Sequence, residues 1–450
     1  MMSLAEAAAA MQGQLTGPDA RFGAVSTDSR SVGAGELFVA IRGERFDGHD
    51  FLAMAKQRGA SAAVIDRRLS APAPLPTVRV DDTRKALGLL GQYWRMRFAP
   101  VVIAIAGANG KTTTKEMLAS ILRAHAGDAA VLATKGNLNT DIGVPLTVLQ
   151  LDDPHRYCAI ELGMNHPGEI EWLAAIAQPT IAVVTNAQRE HMEFMGSVEA
   201  SAGENSNVFR ALPPLGMVVV NADDACYPIF LGAAGRRHVI DFGLERTAMV
   251  TGDYTLKPLS SEIVVRTPEG EARVDLTIPG LPNVRNALAA AACAHAAGIP
   301  AATIGKGLEA FRPYAGRMQA RRTAGGATLI DDSYNANPDS VRAAIDVLAA
   351  CPAPTVLVLG DMGEVGAQGP QFHREVGAYA RSRGIGALYA LGEASREAVA
   401  AFGEGARHFA SPEDLQAALP AAATVLVKGS RFMRMERVVA ALTGEAGGRH

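Results

Sequence analysis

The stretch Gly107-Ala108-Asn109-Gly110-Lys111-Thr112-Thr113 narrows the possible folds of this chain more than any other. It follows an unbroken apolar run, Val101–Ala106, and precedes Met117, Leu118, Ile121 and Leu122 at helical spacing. Strand, glycine turn and helix in that order are the context a phosphate-binding loop requires. The glycines let the backbone curl so that successive N–H groups face one anion, and the helix N-terminus adds a partial positive charge. On that geometry Lys111 reaches the β- and γ-phosphates of ATP, and the Thr112 hydroxyl is a ligand for Mg²⁺. The first glycine usual in such a loop falls on Ile105, so the motif is incomplete at its start. A plain strand-to-helix turn with an exposed lysine is the competing reading. It has little room, because the chain contains only eight lysines and one stands here.

A chain of 450 residues is long for one core, and roughly 150 residues per domain gives about three. Residues 1–98 form the first block, ending in Pro72, Pro74 and Pro76, a strand-like Thr77–Val80 and a helix-like run through Trp94. Residues 99–313 alternate short apolar strands (Val101–Ala106, Tyr157–Leu162, Ile181–Thr185, Met217–Asn221) with helix-length segments, which predicts a parallel sheet covered on both faces. Beyond Tyr254 the pattern turns to alternation, Glu262-Ile263-Val264-Val265-Arg266, which predicts antiparallel pairing. Residues 314–450 return to α/β alternation, with strands at Ala327–Ile330, Thr355–Leu359, Ala387–Ala390 and Val425–Val427, as in a Rossmann-like sheet. The predicted fold class is therefore α/β in three domains, with the central one the ATP-binding domain.

Composition excludes several partners. Lys+Arg total 43 against Asp+Glu at 46, a net charge of −3 that offers nothing to nucleic acid or a membrane surface. The run Ala287–Gly298 is broken by Cys293 and His295 and is too short to span a bilayer. Cys158, Cys226, Cys293 and Cys351 form no C-x-x-C pair and read as buried free thiols. Met1-Met2-Ser3-Leu4 lacks a signal-peptide pattern, so the expected location is cytoplasmic.

Thr134-Lys135-Gly136-Asn137-Leu138-Asn139-Thr140 and Gly143-Val144-Pro145-Leu146 continue the pattern set by the phosphate loop. With Glu161-Leu162-Gly163-Met164 and His191, these segments resemble the Mur ligase family. A carboxylate and a neutral imidazole at C-terminal strand ends, beside a phosphate loop, can hold Mg²⁺ against a γ-phosphate. The resemblance implies that role for Glu161 and His191, and an ATP-contacting role for Asn283, Asn286, Arg317 (in Gly316-Arg317-Met318-Gln319) and Asp332. Ser26-Thr27-Asp28-Ser29-Arg30 and Arg42-Gly43, with Asn137, Asn139 and Thr140, are similar to the family's pattern for binding a UDP-linked substrate. Asp331-Asp332-Ser333-Tyr334-Asn335-Ala336-Asn337, Gly360-Asp361-Met362-Gly363-Glu364 and Val427-Lys428-Gly429-Ser430-Arg431 look like the member that adds D-alanyl-D-alanine, with Tyr334, Asn335, Asn337 and Lys428 in its acceptor region. The sibling that adds diaminopimelate or lysine carries an Asp-Asn-Pro-Arg motif that this chain lacks.

One departure from the family pattern is informative. Most members carry a carbamoylated lysine whose carbamate holds a second Mg²⁺; here Asn205 stands in its place, and no lysine occurs between Lys135 and Lys257. Two replacements are open: a carboxylate from the adjacent Glu204, or waters completing an octahedron. Pro282 also stands where the family usually has histidine. The resemblance as a whole implies a monomeric ATP- and Mg²⁺-dependent ligase joining D-alanyl-D-alanine to UDP-N-acetylmuramoyl-tripeptide through an acyl phosphate. Its sibling ligase, and a nucleotide-dependent binding module that shares only the loop, are the alternatives.

Overall fold

The computed structural model describes residues 1–43, 46–69, 72–419 and 424–445. Its centre is a six-stranded parallel sheet in the order His238–Phe242, Met217–Asn221, Ile181–Val184, Val101–Ala106, Tyr157–Glu161, Val131–Ala133. The middle strand Val101–Ala106 is apolar throughout, as a strand covered on both faces must be. The next two strands in the chain lie on one side of it, the second of them nearer, and the later three run outward on the other. Such a reversal opens a crevice at the carboxyl ends of the strands, the place where α/β sheets bind ligands.

One face of the sheet is covered by helices Lys111–Ala126, Leu281–Ala296 and Ala301–Ala310, whose Met117, Ile121, Leu288 and Leu308 share one core with Ile103 and Val183. The other face is covered by Glu169–Ala177 and Val198–Ser206. An antiparallel ladder, Thr251–Leu256, Ser261–Thr267 and Gly270–Leu276, leans on the helical side, in agreement with the alternation after Tyr254. All four cysteines are buried and unpaired. Among the described residues, no helix is long and apolar enough to cross a membrane.

Before this sheet lies a five-stranded one, in the order Gln14–Thr16, Thr77–Val80, Ala62–Asp66, Glu36–Val39, Ala24–Ser26. Helix Thr83–Arg95 joins the two bodies. Asp82 caps it through the N–H groups of Arg84 and Lys85, and its Leu87, Leu90 and Trp94 are buried. Gly88 and Gly91 let it press on Trp172 and Pro145, where an added Cβ would come within 2.5 and 2.9 Å. Trp94 Nε1 donates to Leu151 O, and the Arg95 guanidinium to the carbonyls of Ala177 and Gln178, so the polar tips of these buried side chains are satisfied.

The last sheet has the order Gln319–Arg322, Thr328–Asp332, Thr424–Lys428, Thr355–Gly360, Ala387–Leu391, Ala406–Phe409, with the first strand antiparallel and the rest parallel. Helix Pro338–Ala349 follows its second strand. It opens on a reciprocal cap between Asn337 and Ser340, with Pro338 in its first turn.

Candidate active site

The carboxyl ends of the central strands and the facing edge of the last sheet enclose a cleft of ≈ 1750 Å³. The phosphate loop forms its floor. Gly107 has φ 126°, and a Cβ there would meet Thr185 Oγ1 at 2.2 Å; Gly110 has φ 83°, and a Cβ there would meet Asn286 Oδ1 at 2.1 Å. Both positions demand glycine, for sterics as well as for backbone sign. The loop is pinned from one neighbouring strand end: Ala108 N donates to Asn186 O (3.0 Å), Asn109 N to Asn186 Oδ1 (2.9 Å), and Thr185 Oγ1 to Asn109 O (2.8 Å). Lys111 Nζ rests on the carbonyls of Gly107 and Ala108, with Glu190 Oε2 at 3.5 Å. Thr112 and Thr113 begin the helix beside it.

Glu161, at the end of its strand, is 2% exposed. Its Oε1 accepts from Thr112 Oγ1 (3.2 Å) and Asn139 Nδ2 (2.8 Å), while Oε2 is buried with no partner. A buried, unpartnered carboxylate oxygen is costly unless a cation meets it, and a carboxylate beside a hydroxyl is an oxygen-donor set suited to a hard ion such as Mg²⁺. Among the described residues no three His, Cys, Asp or Glu side chains converge as a ready-made metal cage. A cation at Glu161 and Thr112 therefore draws the rest of its shell from phosphate oxygens and water.

His191 opens a short helix in the left-handed backbone region (φ 46°) and reaches across to the last sheet, where its Nδ1 lies 2.6 Å from Glu364 Oε2. That spacing makes a charge contact, although the alignment is poor for a hydrogen bond. The His191 ring beside Glu364 holds its carboxyl below the ordinary range. Asn337 Nδ2 donates to Asn109 Oδ1 (2.9 Å), and Arg317 Nη2 comes within 3.4 Å of Thr112 Oγ1 while its guanidinium lies 4.0 Å above the Tyr334 ring. Asn283 and Asn286 line the same cleft one turn apart, joined by an Asn286 Nδ2 to Asn283 Oδ1 bond of 3.1 Å. Lys428 Nζ donates to Asp332 Oδ2 and to Asn335 O (2.8 Å), and Met318 N donates to Asp332 Oδ1. Asp332 thus enters the cleft with both oxygens already engaged.

Arg189 was not singled out in the sequence. It makes paired contacts with Asp339 (2.5 Å) and Glu375 (2.8 Å), and stacks on Phe372 at 5.1 Å. Its guanidinium holds the Glu375 carboxyl below the ordinary range. No local spacing could reveal this link, because its partners lie 150 and 186 residues away.

The N-terminal motif stands apart from the cleft, whose lining includes none of Ser26, Thr27, Asp28, Ser29, Arg30, Arg42 or Gly43. Arg30 forms a two-pronged pair with Asp28 (2.9 and 2.7 Å), and Ser26 Oγ accepts from Asp28 N. Arg42 and the buried His49 both donate to Asp47. Burial opposes that ionised carboxyl, yet the two donors draw it down to about 2. Asn139 and Thr140 line the cleft; Asn137 is exposed outside it.

Position 205 corrects one expectation. Asn205 is 1% exposed, and its Oδ1 accepts from Gly107 N at 2.7 Å while its Nδ2 donates to Glu190 Oε1 at 3.1 Å. Glu204 does not substitute for the missing lysine. Its carboxylate faces away from the cleft and accepts from Ile170 N (3.0 Å), at the start of helix Glu169–Ala177, and from Asn207 Nδ2 (2.9 Å). Successive helical residues point about 100° apart, so residues 204 and 205 cannot both face the loop.

Comparison with known proteins gives a consistent result along the whole chain. Residues 21–95 match the Mur ligase family catalytic domain, 105–294 the Mur ligase middle domain, and 316–431 the Mur ligase glutamate ligase domain. The UDP-N-acetylmuramoyl-tripeptide–D-alanyl-D-alanine ligase of Escherichia coli K12 is 40% identical over 443 residues, covering 96% of both chains. Its counterpart in Bacillus subtilis 168 is 33% identical, covering 92% of both. A crystal structure of MurF from Acinetobacter baumannii superposes with TM-score 0.90 at 35% identity over 98% of each chain. That of Thermotoga maritima MurF in complex with ADP gives 0.81 at 25% identity, over 94% of this chain and 97% of the other.

Proposed function

This chain belongs to the Mur ligase family, and from that we propose that it joins D-alanyl-D-alanine to UDP-N-acetylmuramoyl-tripeptide at the expense of ATP, in peptidoglycan precursor synthesis. The observation that carries the reading is 40% identity, over 96% of both chains, to a ligase of that name. It joins a cleft where a phosphate loop faces the Asp332–Asn337 and Lys428 segments. ATP phosphorylates the terminal carboxylate of the tripeptide, and the dipeptide amine attacks the acyl phosphate and expels phosphate. The chain's contribution is positioning and charge neutralisation. Lys111 and the N–H groups of Gly110 to Thr113 at the helix start cradle the phosphates, with Ala108 and Asn109 shaping the loop beside them; Asn283 and Asn286 border the nucleotide, and Arg317 and Asp332 bring the last domain to it.

Thr112, Glu161 and His191 are the residues we assign to Mg²⁺, on the strength of the unpartnered Glu161 oxygen beside the Thr112 hydroxyl. When bound, the ion neutralises charge on the transferring phosphoryl group. Residues 1–98 anchor the UDP moiety through Ser26–Arg30, Arg42 and Gly43, with Asn137, Asn139 and Thr140 extending the substrate path. Tyr334, Asn335, Asn337 and Lys428 border the acceptor. Residues 99–313 and 314–450 form the two walls of the ATP cleft. The enzyme acts as a cytoplasmic monomer.

A coupled ADP-release assay decides the acceptor. Release should require D-alanyl-D-alanine together with UDP-N-acetylmuramoyl-tripeptide. Equal turnover of the corresponding dipeptide substrate with diaminopimelate or lysine would assign the chain to the sibling ligase instead.

A further inference from the structure

Glu190 is a buried carboxylate, 6% exposed, at the edge of the cleft, and the assignments above give it no role. Its Oε1 is fixed by Asn205 Nδ2 (3.1 Å) and Ser201 Oγ (3.2 Å). Because Asn205 Oδ1 accepts from Gly107 N, the amide is oriented with its NH₂ toward Glu190, tying this carboxylate to the phosphate loop. Its Oε2 faces Lys111 Nζ at 3.5 Å, longer than the roughly 2.8 Å of a close charge-assisted pair. Glu161 touches Thr112 as Glu190 touches Lys111, so two buried carboxylates flank the start of one helix, and Glu161 Oε2 has no partner.

The cleft cannot stay balanced in this arrangement once a triphosphate enters. Phosphate oxygens compete with Glu190 for Lys111 and bring further negative charge beside a carboxylate that has little access to water. A buried carboxylate without a counter-charge is costly, and a divalent cation shared with the phosphates removes that cost. We propose that Glu190 is a ligand for a divalent cation bound with the nucleotide, its Oε2 supplying one protein oxygen while Asn205 and Ser201 hold the carboxylate in register with the loop. Phosphate oxygens and water fill the remaining positions, in keeping with the want of a three-residue cage among the described residues.

The proposal rests on the reading of the cleft as an ATP site, and the experiment separates the two. Mn²⁺ is titrated, with electron paramagnetic resonance reporting the free ion, into the full-length protein saturated with a non-hydrolysable ATP analogue. Glu190→Gln should weaken Mn²⁺ binding about tenfold or more, the scale set by losing a metal-site partner. Glu204→Gln should bind Mn²⁺ as wild type does. Calorimetry in EDTA should find metal-free ADP binding to Glu190→Gln undiminished, because a negative charge near the phosphates has been removed. Normal analogue binding with unchanged Mn²⁺ affinity in Glu190→Gln overturns the proposal alone and leaves Glu190 as an anchor for Lys111. Failure of the wild type to bind the analogue overturns the ATP reading and this proposal with it. If Glu190→Gln does not fold, Asn205→Ala keeps the carboxylate and removes its donor: weakened Mn²⁺ binding supports the assignment, and wild-type binding overturns it.

Discussion

At the scale of single residues, the chemistry is concentrated in side chains with few alternatives. Lys111→Ala should lower kcat by about 10²–10³, the range found when one electrostatic stabiliser is removed, with a melting temperature close to wild type. Activity within a few-fold of wild type would remove Lys111 from the phosphates. Arg30→Ala should raise KM for the UDP-substrate while KM for ATP stays put; a matching rise in both would mean the change acts through folding. Depleting carbon dioxide should leave turnover unchanged, because carbamoylation needs an amine and Asn205 stands where the family's lysine would be. A carbamate resonance by carbon-13 NMR at this site would contradict that outcome. The missing lysine was legible in the sequence, but what replaced it was not. Glu204 is adjacent in the chain, but helical geometry turns it toward Ile170 and puts Asn205 on the loop side, where its amide holds Glu190, fifteen residues earlier in the chain.

At the scale of elements, the strand–loop–helix unit was readable almost to the residue, since apolar run, glycine turn and helical spacing each carry a separate physical requirement. Its weak point is the glycine that opens helix Lys111–Ala126. Gly110→Ala forces a left-handed residue to carry a Cβ, about 1–2 kcal/mol by itself, against an asparagine oxygen 2.1 Å away. The variant should melt several degrees lower and bind ATP more weakly, as differential scanning fluorimetry with and without ATP will register. Unaltered ATP-dependent stabilisation would mean the loop is not the phosphate site. Two strands of the same sheet were not anticipated. Val131–Ala133 is only three residues long, and His238–Phe242 sits at the sheet edge with His238 and Asp241 interrupting its apolar pattern. Short or edge strands need little hydrophobic signal because their neighbours supply the pairing.

At the scale of the whole molecule, three blocks were visible in the alternation of patterns, but the contacts between them were not, since side chains that meet across a cleft leave no periodicity. Arg189 is the clearest case. Arg189→Ala removes charge-assisted bonds to both Asp339 and Glu375 and should open the cleft, raising KM for ATP several-fold and increasing the radius of gyration in small-angle X-ray scattering. An unchanged radius would assign domain closure to other contacts. Acid should act on the same seam. The carboxyls of Glu364 and Glu375 are held below their ordinary range by His191 and Arg189, so their contribution is complete above the unfolded value of about 4.3 and fades as pH drops through the depressed values. Scattering from the wild type should therefore widen on acidification below about pH 4, and Arg189→Ala, already open, should widen less.

The docking of helix Thr83–Arg95 has a mechanical consequence. Trp94 and Arg95 bury their tips in the central body, and two glycines let the helix backbone press on Trp172 and Pro145. The seam around the phosphate loop, by contrast, is made of Asn337 with Asn109, Arg189 with Asp339, and Glu364 with His191, all groups that water can solvate equally well. Among the five sheets of the described residues, the first two large ones share one hydrophobic core and make a long base, while the last large one forms an arm held against that base at the phosphate loop by these polar contacts. A protease given limited time should cut first where the arm leaves the base, near residue 313, and release the base whole rather than three separate fragments.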